Sequence, residues 1–228
     1  MKDSMICCLF TDSFLRDLKD DEDTIGRECQ TRKREVASYK AFADEAEKLL
    51  SPDDSTDFVV LNLGYNDLWK LRASHNDTLK HARRSVNICR HLYPNAMIVI
   101  SEVINSLNSG RFNENIDKLN EGLNDLAKLT SNTIFSTHPV ITPSERELYH
   151  PDGTHLSKLG QAQIMSDLRR ATMGLNPLPN IIRLPTRRNH QHGRQDREFD
   201  DQGSRFMVDN RGKGKNASRF GANGWKDC

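Results

Sequence analysis

The chain has 228 residues, 36% of them hydrophobic and 29% charged, with a formal net charge of +1. That length fits one ordinary domain with residues to spare and excludes two large ones. The longest early apolar run, "MICCLF", is far too short for a signal peptide's apolar region or a membrane span, so a soluble cytoplasmic chain without membrane attachment is expected.

The same run reads as a buried strand, and "SFLRDLKD" after it as the start of a helix. Residues 19–33 form a charged run, expected to be solvated surface where a second strand would be short, irregular or lost. Residues 34–50, "REVASYKAFADEAEKLL", then carry apolar side chains at three- and four-residue spacing, as a helix does. "DFVVLNLG" (57–64) and "AMIVISEV" (96–103) are near-continuous apolar runs of the kind found in parallel strands covered on both faces. Helical periodicity returns at 77–93 and at 112–129. A weaker strand, "TIFSTHPV", and a last helix, "SKLGQAQIMSDLRRAT", complete the pattern. Strands alternating with helices predict an α/β chain: a three-layer α/β/α domain built on a parallel sheet. Its chemistry is expected outside the carboxyl ends of the strands.

The five cysteines, Cys7, Cys8, Cys29, Cys89 and Cys228, form no C-x-x-C pair and are expected to be reduced thiols. The composition changes after Asn176. We expect a folded domain over residues 1–175 and a disordered basic tail over 176–228. From Arg183 onward eleven basic residues face six acidic ones, a charge near +5, which leaves the remainder of the chain near −4. With isolated aromatics Phe199, Phe206, Phe220 and Trp225, such a tail could bind RNA or single-stranded DNA weakly through residues 183–228, or serve only as a solvated extension.

Three loops carry the candidate chemistry, one after each of three predicted strands. Ser13 in "TDSFL" stands at the first strand's end, where its backbone N–H could also help hold an oxyanion. Asn66 in "GYNDLW" could donate its amide into the same cleft, while Asp67 could cap the following helix. In "YHPDGTHLSKLGQ", Asp152 and His155 are three apart on a turn, close enough for a carboxylate to orient an imidazole. A serine hydroxyl is too weak a nucleophile without such a base. A turn closed by Asp152-Gly153, with Ser157 capping the last helix, is the plainer account of the same residues. A metal site at His150, Asp152 and His155 would lack the H-E-x-x-H motif or cysteine pair to complete it, so neither metal nor other cofactor is expected.

In this order, the three blocks resemble those of the SGNH hydrolase family, the GDSL-type esterases and lipases. "TDSFL" is similar to its nucleophile block, "GYNDLW" to its third and "DGTHLSKLGQAQI" to its last. The resemblance spans residues 5–170 and implies a flavodoxin-like fold and ester hydrolysis through an acyl-serine. It implies Ser13 as nucleophile, His155 as base, Asp152 as orienting acid, and the Ser13 amide with Asn66 as oxyanion donors. Two departures stand out. Thr11 occupies the place of a glycine in the first block. For the oxyanion N–H that the second block's glycine supplies, this chain offers only Gly26 between Ser13 and Gly64, and Gly26 follows no convincing strand. The leading expectation is an esterase for small acyl esters, with specificity set by residues 105–111 and 142–149. The alternative is a catalytically weak or inactive binding module of the same fold, associated with nucleic acid through its tail, somewhat as in retroelement proteins.

Overall fold

The computed structural model describes residues 5–15, 29–107 and 110–182. Five strands form one parallel sheet: β1 (Met5–Thr11), β2 (Cys29–Glu35), β3 (Phe58–Asn62), β4 (Met97–Ser101) and β5 (Thr133–Ser136), in the order β2-β1-β3-β4-β5. Between them run α1 (Tyr39–Leu49), α2 (Tyr65–Trp69), α3 (His75–Leu92) and α4 (Gly110–Leu129), with α5 (Lys158–Thr172) last. Neighbours α1, α3 and α4 pack side by side, whereas α5 lies against β4 and β5. Right-handed crossovers place the first three on one face and α5 on the other. The result is a three-layer, flavodoxin-like α/β/α fold. Its strand order reverses between β1 and β3, the crevice where such sheets bind ligands.

Burial explains the central strands. All five residues of β3 are buried, as are Ile98 to Ser101 of β4 and Cys7 to Thr11 of β1. Among the described residues no helix is long and apolar enough to cross a membrane.

The β2 strand corrects the sequence reading. Residues 29–35, "CQTRKRE", pair in parallel along the whole of β1, from Met5 with Cys29 to Thr11 with Glu35. Among the described strands β2 is an edge strand, and Thr31 to Arg34 are only half-buried. Long basic side chains can cover apolar surface with their stems while the charges stay in water, so this strand needs no apolar alternation. Its charges also discourage pairing with other chains. The following helix accordingly begins later than its periodicity suggests, at Tyr39, with the Ser38 hydroxyl accepting from Ala41 N–H at 3.0 Å. Directly after β1, Ser13–Leu15 form a 3-10 turn, and the rest of the helix expected there lies outside the described residues. Residues 176–182, assigned by composition to the tail, are tied to α5: Leu178 N–H donates to Asp167 (3.2 Å) and Ile182 N–H to Gln163 (2.9 Å).

Gly160 shows how closely α5 approaches its neighbour. A Cβ there would lie 2.1 Å from the Leu148 carbonyl oxygen, in the 3-10 turn Arg146–Leu148. Backbone cannot yield as a flexible side chain can, so Gly160→Ala is expected to cost about 3 kcal/mol of stability. Urea unfolding measures this, and an unchanged midpoint would contradict the packing described.

Candidate active site

The sheet brings the candidate residues to one edge. Ser13 follows β1 and Asn66 follows β3, adjacent strands whose last residues, Thr11 and Asn62, are paired. Gly64, with φ of 121°, turns the chain between β3 and α2 in a conformation that L side chains rarely adopt. A Cβ at Gly64 would also crowd Val103, Leu119 and the ring of Tyr39 at 3.0 to 3.3 Å.

The loop carrying Asp152 and His155 is closed at its base like a small hairpin. Tyr149 and Leu156 form an antiparallel bridge, His150 N–H donates to the His155 carbonyl at 2.8 Å, and Ser157 N–H to the Leu148 carbonyl at 2.9 Å. Ser157 also caps α5 through Gly160 N–H. Within the loop Asp152 Oδ1 accepts from the backbone N–H groups of Thr154 and His155, both at 2.9 Å. Its Oδ2 lies 2.8 Å from His155 Nδ1, and the opposite ring nitrogen, Nε2, is 3.3 Å from Ser13 Oγ. Partial burial opposes ionisation of Asp152. The two backbone N–H groups and the His155 ring outweigh it and hold the carboxyl well below the usual range. An ionised Asp152 fixes the His155 tautomer with Nδ1–H toward the carboxylate, leaving the Nε2 lone pair for the serine proton. The 3.3 Å separation is slightly long, as is common before substrate binds.

Asn66 is buried at the start of α2, and its Nδ2 donates to the Ala37 carbonyl at 2.9 Å. The amide nitrogen carries a second hydrogen, the one an oxyanion role requires. On that role Asn66→Ala lowers kcat about a hundredfold with little change in KM, because the contact forms fully only in the transition state. A change confined to KM would contradict it. Gly26 lies outside the described residues.

Asp67 does not cap the helix that contains it. Its buried carboxylate reaches across to α1, accepting from Tyr39 N–H at 2.8 Å and Lys40 N–H at 3.1 Å. Burial pushes its pKa up, and those two N–H groups pull the other way. Asp67 therefore pins the β2–α1 connection beside Asn66. Thr11 is buried at the end of β1, where its hydroxyl accepts from the Asn62 amide at 3.3 Å and its carbonyl from Val36 N–H at 2.9 Å.

The loops expected to set specificity also make structural contacts. Ser106 Oγ (3.1 Å) and Leu107 N–H (2.8 Å) both donate to the Gly153 carbonyl, bracing the turn that carries Asp152 and His155. Thr142 and Glu145 instead line a cleft of about 430 Å³ with Pro139, Val140 and Pro179. Sequence reasoning also missed a second serine–histidine–aspartate contact. Ser101 Oγ is 2.9 Å from His138 Nε2, and His138 Nδ1 is 3.1 Å from Asp167 Oδ2. All three are buried, and Ser101 is inaccessible to an ester, so this contact ties β4 to α5. Its only sequence signal was a histidine following β5. Among the described residues no group of three or more His, Cys, Asp or Glu could hold a metal.

In sequence the chain matches no family profile and no curated protein. In structure it is similar to a protein assigned as a platelet activating factor from Streptococcus pneumoniae, with a TM-score of 0.64 and 18% identity over 75% of this chain and 84% of that one. It is also similar to a protein assigned as a GDSL-like lipase from Parabacteroides merdae, with a TM-score of 0.60 and 14% identity over 77% of this chain and 98% of that one. The psychrotrophic esterase EstA from Pseudoalteromonas gives a TM-score of 0.57 and 15% identity over 74% of this chain and 97% of that one. The chain has the fold of the SGNH hydrolases, the GDSL-type esterases and lipases.

Proposed function

We propose that the chain is a serine esterase acting on esters of small acyl groups. The observation that carries this reading is the His155 ring, set between Ser13 Oγ and the Asp152 carboxylate. Ser13 Oγ attacks the ester carbonyl carbon while His155 Nε2 takes the hydroxyl proton. The tetrahedral oxyanion then collapses, the alcohol leaves with that proton from His155, and the acyl group stays on Ser13. Water, deprotonated by His155, attacks the acyl-serine and releases the acid. Asn66 and the Ser13 N–H are the oxyanion donors in this scheme, and no cofactor enters it. Three buried thiols, Cys7, Cys8 and Cys89, fit a reducing, cytoplasmic setting. The purified chain should hydrolyse p-nitrophenyl acetate, and folded protein that gives no turnover above buffer would overturn the reading.

Thr11 at the nucleophile turn and the charge contrast between tail and remainder favour a second reading, a binding module with weak catalysis. It predicts that the full chain binds RNA with an affinity that falls steeply as salt rises, and that a chain ending at residue 182 does not. Binding undetectable at low salt, or unchanged by the truncation, would leave the tail as a spacer.

A further inference from the structure

We infer that Trp69 and Phe112, reached from the catalytic loop through Tyr65, form the wall that receives the non-reacting part of the ester, and that the group they fit is aromatic. The inference rests on the esterase reading of Ser13, His155 and Asp152.

The wall starts at the chemistry. Tyr65 precedes the oxyanion candidate Asn66, is 3% exposed, and hydrogen-bonds through its side chain to Thr154 and Ser106. Thr154 lies between Asp152 and His155 in sequence, so the Tyr65 ring is fixed against the catalytic turn. From there the rings continue outward. Phe112, in the first turn of α4, meets Tyr65 edge to face at 5.2 Å between centroids and Trp69 at 5.3 Å, with interplanar angles of 75° and 76°. The Arg72 guanidinium carbon stands 5.0 Å from the Trp69 ring centroid, on a backbone with φ of 54°. That conformation is uncommon for a residue other than glycine, and such departures concentrate at functional sites.

Exposure singles out the outer end. Six large apolar residues among those described are exposed: Met5, Trp69, Leu71, Leu129, Met173 and Leu175. Met5 opens β1, Leu129 closes α4, and Met173 and Leu175 follow α5, all at the sheet edge opposite the site. Trp69 and Leu71, 41% and 50% exposed, belong to the segment leaving β3 at the catalytic edge. Exposed apolar surface beside a catalytic group, backed by rigid aromatic packing, is what a substrate wall requires. The chemistry of the wall selects the ligand. A ring meeting Trp69 and Phe112 gains the edge-to-face term, and Arg72 adds attraction to its π face. An alkyl chain gains burial alone.

The test compares ethyl acetate, benzyl acetate and ethyl phenylacetate by proton release with the full-length chain. The native protein favours at least one aromatic ester over ethyl acetate in kcat/KM, and the favoured one shows whether the alcohol or the acyl group lies on the wall. Trp69→Ala lowers that preference about tenfold, mainly through KM, whereas Leu129→Ala at the far edge leaves it unchanged. A preference that survives in Trp69→Ala, or is absent in the native chain, overturns the inference. Should Trp69→Ala fail to fold, Trp69→Leu carries the same test. A second readout is independent of turnover. In a Trp225→Phe chain, Trp69 is the sole tryptophan. Its fluorescence should change on titration with benzyl alcohol or phenylacetate and not with ethanol or acetate. No change with either aromatic ligand overturns the wall even if the esterase stands, and a change without any turnover counts against the esterase reading alone.

Discussion

A Ser13→Ala chain is expected to hydrolyse p-nitrophenyl acetate at least about 10⁴-fold more slowly in kcat than the native chain, while unfolding at nearly the same temperature. The rate falls because Ser13 Oγ is the hydroxyl set against His155 Nε2, and without the nucleophile only oxyanion stabilisation and binding remain. The fold is spared because the hydroxyl's contact, at 3.3 Å, is too long to contribute more than about 1 kcal/mol. Steady-state kinetics and a thermal melt on the same preparation check both halves. Retention of a tenth or more of the rate would move the nucleophile elsewhere.

The second large effect is expected at Asp152. Asp152→Asn should lose about 10⁴-fold in kcat with the loop intact, since an asparagine Oδ1 still accepts from Thr154 and His155 N–H. What it loses is the charge that holds Nδ1–H of His155 toward residue 152 and leaves Nε2 free to take the serine proton. The lowered pKa of Asp152 adds a pH signature. A carboxyl whose folded value lies below its unfolded one, near ~4, contributes stability that is fully present above the unfolded value and lost as pH falls through the folded one. Native and Asp152→Asn chains should therefore differ in stability most above about pH 4, and the difference should shrink on acidification. Full activity in the variant would name another orienting group.

Much of this architecture is legible in the residues because burial and periodicity coincide there. The runs "DFVVLNLG" and "AMIVISEV" are apolar because β3 and β4 are covered on both faces, and the final block is readable because a capped helix follows a turn. The β2 strand was hidden for the opposite reason. It lies at an edge, its side chains are charged, and backbone pairing with β1 leaves no pattern in composition. The Ser13, Asp152 and His155 candidates were found because each sits in a short block, and the structure adds their distances. The partner of Asp67 was not legible, since a carboxylate twenty-eight residues from Tyr39 shows its use only once the sheet sets α1 beside α2. The same holds for Tyr65, Phe112 and Trp69, whose contact depends on where α4 begins in space.

The central claim is that Ser13 is a nucleophile activated by His155 and Asp152. It is tested most directly by exposing the folded full-length chain to a fluorophosphonate and locating the adduct by mass spectrometry. We predict one adduct per chain, on Ser13, formed much more slowly in His155→Ala and absent in Ser13→Ala. Equal labelling of the native and Ser13→Ala chains, or no labelling of native protein shown to be folded, would contradict the account.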